Sequence, residues 1–309
     1  MNSGMRNSIG IIGMGWVGTS VAISILHQGI AEELLLNDVR SEIAEGEAMD
    51  LNHGSSFYPS AQIRACSIEE MVHCRAIVIT AGRGGKPGES RLDLLRENGR
   101  IVTQIASQLK GFSGFLIIVA NPVDVLTQLY LQATGFDTRK VIGTGTMLDT
   151  ARLREMIAGK LRVNVKSIHA NVIGEHGDSE VVLWSSAHVA GVRLREWDSW
   201  SSDYESEIAY QVKTAAYDII KRKGATNHAI GLVTAALLKW IFRGERRIVN
   251  LSSLINGPYG IQDVSFSLPT LLSKDGIEKV LEVKLSESEF NQLQRSADVI
   301  KKALDSLTN

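Results

Sequence analysis

The stretch SIGIIGMGWVG at residues 8–18 decides the fold. Residues 8–12 form a short, mostly apolar run that predicts a buried strand, and the next six residues have the glycine pattern GxGxxG. Residues 17–28 then predict a helix, and residues 34–37 predict a second strand that ends on Asp38. A strand, a glycine loop, a helix, a strand and an acid twenty residues after the last glycine are typical of a dinucleotide-binding unit.

Each residue of this unit has a physical task in holding a dinucleotide. Gly13 permits the tight turn, Gly15 lets the backbone approach a pyrophosphate at the helix N-terminus, and Gly18 allows close packing of helix and strand. Asp38 can accept hydrogen bonds from ribose hydroxyls. The next residue is Val39, which cannot receive a 2′-phosphate, although Arg40 lies close by. The sequence therefore favours NAD over NADP.

Strands and helices continue to alternate up to about residue 145, which predicts an α/β fold with a doubly wound parallel sheet, the Rossmann architecture. We expect an NAD-binding domain at residues 1–145 and an α+β catalytic domain at residues 146–309. In the first, we predict further strands at 76–80, 115–120 and 140–142 and a helix at 91–109. In the second, we predict a helix from residue 149, short strands near 168–173 and 181–184, helices at 204–223 and 229–242, a strand pair at 265–272 and 276–283, and a final helix from 286.

Composition excludes several classes of protein. The chain has 309 residues, a net charge of −1 and no apolar run near the length of a membrane span, so neither nucleic acid nor a membrane is an expected partner. The polar first eight residues do not resemble a secretory signal. Cys66 and Cys74 offer neither a disulfide framework nor metal-ligand spacing, and both are expected to be inert buried thiols. These features predict a cytoplasmic globular protein without a metal.

His176 is the candidate catalytic residue. It lies between two glycines in GEHGDSE, residues 174–180, where the backbone is exposed in a tight turn rather than packed on an apolar face. Histidine can both give and take a proton near neutral pH. Upstream, Asp149 could orient the imidazole and raise its pKa, and Arg152 could clamp a carboxylate with its planar fork. Alone, Asp149 could also be a helix cap, and a lone histidine is usually a surface or core residue.

The chain resembles the L-lactate/L-malate dehydrogenase family over essentially its whole length. The resemblance rests on several motifs in the family's order: GMGWVG at 13–18, GEAMDL at 46–51, KPGESR at 86–91, NPVD at 121–124, LDTAR at 148–152 and GEHGDSE at 174–180. The sequences of the last two motifs are similar to those of the bacterial lactate branch of the family. The resemblance implies an enzyme that uses NAD to interconvert 2-oxo and 2-hydroxy acids as a homo-oligomer, a dimer or a tetramer.

The resemblance also implies roles for individual residues. His176 would be the acid/base, Asp149 would orient it, and Arg91, on a closing loop, would polarise the substrate carbonyl. Arg152, Asn121 and Thr226 would bind the substrate. Cofactor contacts beyond the glycine loop and Asp38 would come from Val17, Ala81, Gly82, Val119, Asn121 and Ile230.

Gly85, just before KPG, is where the chain departs from its family. Lactate enzymes typically have glutamine at this position and malate enzymes have arginine, which pairs with the second carboxylate. Glycine offers neither charge nor donor, so we expect activity on pyruvate that extends to longer 2-oxo acids. Malate dehydrogenase remains the alternative, in which Arg83 would pair with the second carboxylate in place of residue 85. A non-catalytic NAD-binding protein is a more remote alternative.

Arg154 and His169 suggest an effector site. In similar bacterial lactate dehydrogenases, an arginine and a histidine at these places bind fructose 1,6-bisphosphate across a subunit interface. An ordinary helix residue and an interface residue are the alternative interpretation.

Overall fold

The computed structural model describes residues 7–84 and 90–308. In its first half, strands alternate with helices. They are β1 (Ser8–Ile12), α1 (Trp16–His27), β2 (Glu33–Asn37), α2 (Ser41–His53), β3 (Gln62–Ala65), β4 (Ala76–Ile79), α3 (Arg91–Gln108), β5 (Phe115–Ile118), α4 (Val123–Thr134), β6 (Val141–Gly143) and α5 (Met147–Leu161).

The second half contains short strands, two long helices, an antiparallel meander and a final helix. They are β7 (Ile168–His169), β8 (Val172–Ile173), β9 (Val181–Val182), β10 (His188–Val189), β11 (Val192–Arg193), α6 (Asp203–Lys223), α7 (His228–Arg243), β12 (Arg247–Ile255), β13 (Val264–Ser273), β14 (Gly276–Val280) and α8 (Glu287–Thr308).

The parallel part of the central sheet has the order β3-β2-β1-β4-β5-β6. Every residue of β1, β4 and β5 is buried. Continuous apolar strands of this kind belong to a sheet that is covered by helices on both faces. The predicted doubly wound α/β fold is therefore confirmed, and its ligand-binding edge is where the parallel strands end.

The sheet does not stop at the end of the parallel strands. β12 pairs with β13 in antiparallel register from Arg247↔Leu272 to Ile255↔Val264, and β13 pairs with β14. Ser252 of β12 pairs with Gly143 of β6, which joins the meander to the parallel strands in one nine-stranded sheet. The sheet thus crosses residue 145, where the sequence predicts the division between the two halves.

Helix α2 was not predicted from the sequence, and α4 was predicted only as a helical stretch without bounds between the strands at 115–120 and 140–142. Helix α2 is largely exposed, with only Ala44 and Ala48 buried, so its apolar period is weak. Helix α4 has the opposite pattern, because eight of its twelve residues are buried and no polar face marks the helical period. Strands β3 and β12 were also missed, and the predicted strand at 115–120 ends at Ile118.

The two cysteines are free thiols. Cys74 is buried as expected, but Cys66 is only half-buried, which corrects the prediction for that residue. Burial raises the pKa of Cys66 to about 11 and that of Cys74 to about 12, so both are protonated near neutral pH. Within residues 7–84 and 90–308, the structure contains no helix long and apolar enough to cross a membrane.

Candidate active site

The glycine loop between β1 and α1 has the geometry that a dinucleotide requires. Gly13 has a φ of +101°, which favours glycine, and a Cβ on Gly18 would lie 1.9 Å from the Gly13 carbonyl oxygen. Gly15 is the N-cap residue of α1 and provides no side-chain cap, and the space where its Cβ would lie is open. The free N–H groups of this helix end form an anion site that a pyrophosphate can approach closely.

Asp38 lies at the end of β2 and is bonded to this loop. Its Oδ2 accepts a hydrogen bond from the Met14 N–H at 2.8 Å, and its Oδ1 accepts one from the Arg40 N–H at 3.0 Å. Val39 is almost fully exposed. The uncapped glycine turn and the neighbouring carboxylate therefore fit the pyrophosphate and one ribose of NAD.

Asn98 of α3 joins the ends of β4 and β5. Its Oδ1 accepts a hydrogen bond from the Arg83 N–H at 2.8 Å, and its amide donates to the carbonyl oxygens of Arg83 and Asn121 at 3.2 and 3.3 Å. Gly82 packs against Ala120 beside this bridge, since a Cβ there would lie 3.1 Å from the alanine side chain. Asn98 was not predicted from the sequence, because its hydrogen bonds join residues that lie 15 and 23 positions away in the chain.

His176 lies in the turn at residues 174–180, here named the catalytic turn, and forms a close pair with Asp149 of α5. His176 Nδ1 lies 2.5 Å from Asp149 Oδ2, and the side chains are 24% and 3% exposed. Burial disfavours the charged ring, but the charge and hydrogen bond of Asp149 outweigh it and raise the pKa of His176 to about 9. The imidazole is therefore a proton donor at neutral pH.

Arg152 shares the carboxylate that holds the histidine. Its Nη1 donates to Asp149 Oδ1 at 2.8 Å, so each oxygen of Asp149 has a different partner. Burial raises the pKa of Asp149, yet the charges and hydrogen bonds of His176 and Arg152 hold it below its usual range. Asp149 and Arg152 lie on the first turns of α5, which fixes the position of the guanidinium relative to the carboxylate that holds His176.

A cavity of about 130 Å³ brings these groups together with other predicted residues. Seven of its lining residues were predicted from the sequence: Val17, Val119, Asn121, Arg152, His176, Thr226 and Ile230. Five more were not: Thr144, Gly145, Leu148, Ala216 and Ile220. Residues from both halves of the chain therefore line one cavity at the carboxyl ends of the parallel strands.

The other predicted residues lie elsewhere. Gly85 falls outside the described residues, together with the first four residues of KPGESR, and Arg91 is the first residue of α3. Ala81 and Gly82 follow the end of β4. Arg154 and His169 do not line the cavity.

Glu180, at the end of the catalytic turn, was missed by the sequence analysis. Its Oε1 is buried, with no hydrogen-bond partner among the residues that the structure describes. Burial, followed by the charge of Asp149, raises the pKa of Glu180 to about 8, although His176, Lys213 and Arg152 oppose the shift. Glu180 thus adds a third titrating group beside the pair, and only the structure shows its burial.

The fold and this site define an NAD-binding oxidoreductase that acts on a CH–OH group. The model of the lactate/malate dehydrogenase NAD-binding domain matches residues 7–143, and that of the family's alpha/beta C-terminal domain matches residues 146–309. The chain belongs to the lactate/malate dehydrogenase family.

Relatives and solved structures of this family match the chain over nearly its full length. An L-lactate dehydrogenase from Fervidobacterium nodosum is 42% identical over 97% of this chain and 98% of its own. One from a Synechococcus species is 40% identical over 96% and 98%. The crystal structure of MGS-M5, a lactate dehydrogenase from a deep-sea metagenome library, has a TM-score of 0.95 at 40% identity and covers 99% of this chain and 100% of its own. The minor L-lactate dehydrogenase of Enterococcus mundtii has a TM-score of 0.96 at 37% identity, with 98% and 99% covered.

Proposed function

We propose that the chain is an NAD-dependent L-lactate dehydrogenase, which reduces pyruvate to L-lactate with NADH and catalyses the reverse reaction. The observation that carries this proposal is the arrangement of His176, Asp149 and Arg152 at one cavity beside a glycine loop suited to NAD. We further propose the division at residue 145, with NAD bound mainly by the first half. The family models meet close to this residue, which supports it.

His176 and Asp149 carry the proton chemistry in this proposal. With Nδ1 held by Asp149, the other ring nitrogen is the donor to the substrate oxygen, and it takes the proton back during oxidation of the hydroxy acid. Bound NADH supplies the hydride. Asp149 stabilises the imidazolium before the reaction and keeps the ring in one orientation.

Arg152 holds the substrate carboxylate. A guanidinium has five donors in a rigid fork, so it can bond Asp149 through Nη1 and still present donors to an anion. Asn121 and Thr226 line the same cavity and are proposed to contact the substrate. The role of Arg91 in polarising the carbonyl stays a prediction.

Pyruvate is favoured over oxaloacetate by the charge of the cavity. Among the described residues that line it, Arg152 is the only arginine or lysine, and in this proposal it binds the first carboxylate, so the described lining offers no second guanidinium or ammonium to oxaloacetate. The apolar side chains of Ala216 and Ile220 line the same cavity and can contact a longer apolar substrate tail. We therefore propose that wild type reduces pyruvate and also accepts 2-oxobutyrate and branched-chain 2-oxo acids.

Oxidation of NADH with a panel of 2-oxo acids tests this specificity. Wild type is expected to prefer pyruvate to oxaloacetate, and Gly85→Arg to raise the oxaloacetate-to-pyruvate ratio of kcat/KM by about tenfold or more, since a hydrogen bond between charged groups contributes roughly 1.5–3 kcal/mol. Gly84→Arg is the matched control, because it adds the same charge one residue away. If kcat/KM of wild type were tenfold higher for oxaloacetate than for pyruvate, the protein would instead be a malate dehydrogenase in which Arg83 binds the second carboxylate.

We also propose that Arg154 and His169 bind fructose 1,6-bisphosphate. Arg154 Nε donates to the carbonyl oxygen of Ala170, the residue after His169, at 2.9 Å. His169 is exposed and faces His188 across the β7–β10 pair, and His188 in turn faces Arg193. This row of cationic and titratable groups suits a bisphosphate.

The effector is expected to lower the KM for pyruvate. His169→Asn should abolish the response, which saturation curves with and without the bisphosphate would measure. An unchanged saturation curve together with an unchanged oligomer size would contradict the effector site.

The homo-oligomer, a dimer or a tetramer, is likewise a proposal. Two neighbouring grooves share Leu232, and they are bordered by the exposed side chains of Ile23 and Ile248. Exposed apolar patches of this kind mark protein–protein contacts. The cytoplasmic location stays a prediction.

A further inference from the structure

Side chains from two distant helices bond the backbone of the catalytic turn. Ser296 of α8 accepts a hydrogen bond from the Glu175 N–H at 2.7 Å, and Asp124 of α4 accepts one from the His176 N–H at 2.7 Å. The two bonds therefore act on consecutive peptide units, and the second unit belongs to the histidine that gives up the proton.

Both acceptors are buried, and Ser296 lies very close to the backbone of the catalytic turn. Ser296 is 0% and Asp124 is 2% exposed. Gly174, which opens the turn, has a φ of +88°, and a Cβ there would lie 2.6 Å from the Ser296 hydroxyl oxygen. The glycine is thus required for this close approach, and the N–H groups it leads to have fixed protein partners rather than water.

We propose that Ser296 and Asp124 are positioning residues of the reaction, which fix the backbone of the catalytic turn so that the His176 ring meets the substrate oxygen in one orientation. Asp149 holds the ring at Nδ1, while the two backbone bonds hold the main chain that carries it. Three fixed points define the place of the donor nitrogen. This inference rests on the proposed function, because it concerns delivery of a proton to the substrate.

Asp124 also makes the turn sensitive to acid. Burial raises the pKa of Asp124 to about 6, although the Ser252 hydroxyl of β12, the His176 N–H and the His176 charge oppose the shift, and Glu175 raises it further. Its Oδ1 has no hydrogen-bond partner within the described part of the chain. Below about pH 6 the carboxyl takes up a proton, and the bond to the His176 N–H loses its charge assistance.

The decline in kcat that we expect at acid pH, here named the acid limb, is separable from the titration of His176. His176, with a pKa of about 9, is already protonated below pH 7, so its own titration cannot slow the reaction with pyruvate at acid pH. A decline in kcat as pH falls through about 6 is therefore expected to report Asp124.

Three variants and one control test the proposal in the full-length protein. Ser296→Ala and Asp124→Ala remove one acceptor each, and kcat for pyruvate reduction is expected to fall by about tenfold to a hundredfold, since small misplacements of a catalytic group have effects of this order. The KM for NADH should not change. Asp124→Asn keeps a carbonyl acceptor but lacks the charge, so its kcat at neutral pH should equal the lowered value that wild type shows in acid, with no further decline as pH falls through about 6.

Ser306→Ala is the matched control on α8, because that hydroxyl donates only within its own helix, to the Ala303 carbonyl oxygen at 2.6 Å. Its kcat should equal that of wild type. Asp124→Asn should also unfold at no lower temperature than wild type, because a buried charge is removed. Imidazole NMR signals of His176 provide a readout besides activity, and they should shift in Ser296→Ala but not in Ser306→Ala.

Two results would overturn the proposal. One is a kcat of Ser296→Ala within twofold of wild type, with unshifted His176 signals. The other is an acid limb in Asp124→Asn at the same pH as in wild type. A wild type that oxidises no NADH with any 2-oxo acid would contradict the proposed function instead, and the NMR signals would still decide whether Ser296 positions the ring.

Discussion

Replacing His176 with alanine is expected to lower kcat for pyruvate reduction by about 10²–10⁴-fold, the range that general acid catalysis contributes. The reason is that the variant loses the imidazole that Asp149 holds as a proton donor at the cavity. NADH binding should remain, because the glycine loop and Asp38 lie outside the change. Stopped-flow kinetics and cofactor fluorescence measure the two effects separately.

His73→Ala is the control for this change. His73 also pairs with a carboxylate, Glu33, but at 3.4 Å on the surface, and its loss should leave kcat unaltered. If His176→Ala kept more than a tenth of the wild-type rate with bound NADH, another group would have to donate the proton.

Asp149→Asn is expected to have the second largest effect. Two donors, His176 Nδ1 and Arg152 Nη1, bond the two oxygens of this carboxylate, and an amide has only one oxygen to offer them. Without the negative charge, the burial that lowers the pKa of His176 is no longer outweighed. The pKa of about 9 should therefore fall to or below the ordinary value near 6.5.

A decrease of two units or more in this pKa corresponds to a loss of about a hundredfold or more in protonated enzyme in the alkaline range. The loss should be smaller than in His176→Ala, because a donor is still present and acid pH restores its proton. Asp137→Asn, which removes the exposed partner of Arg139, is the control and should not alter the profile. An Asp149→Asn profile that coincides with that of wild type would contradict the pairing.

The fold was predictable from the sequence where apolar runs and glycines carry the signal. Strands β1, β4 and β5 are buried at every position, and the glycine loop directly after β1 identifies what the sheet binds. Helices α2 and α4 were not predictable from the helical period, because one is nearly all exposed and the other nearly all buried. Strand β12 forms through pairing with β13, which a local pattern does not report.

The candidate site was predictable to the extent that its residues lie in short motifs. His176, Asp149 and Arg152 stand in two such motifs, and the structure brings them together. Asp124 and Ser296 act on the catalytic turn from 52 and 121 residues away. Contacts of that range depend on how helices pack, so the sequence alone does not contain them.

The pH dependence of kcat/KM for pyruvate reduction by wild type tests most directly whether Asp149 holds His176 in its protonated form, because this profile reports the pKa of the essential acid in the free enzyme. We expect a plateau from about pH 6 up to about pH 9, within which the ionisation of Glu180 only favours the imidazolium, and above it a fall of about tenfold for each further pH unit as His176 loses its proton. A fall that begins near pH 6.5, the value of an ordinary histidine, would contradict the claim that Asp149 holds His176 in its protonated form.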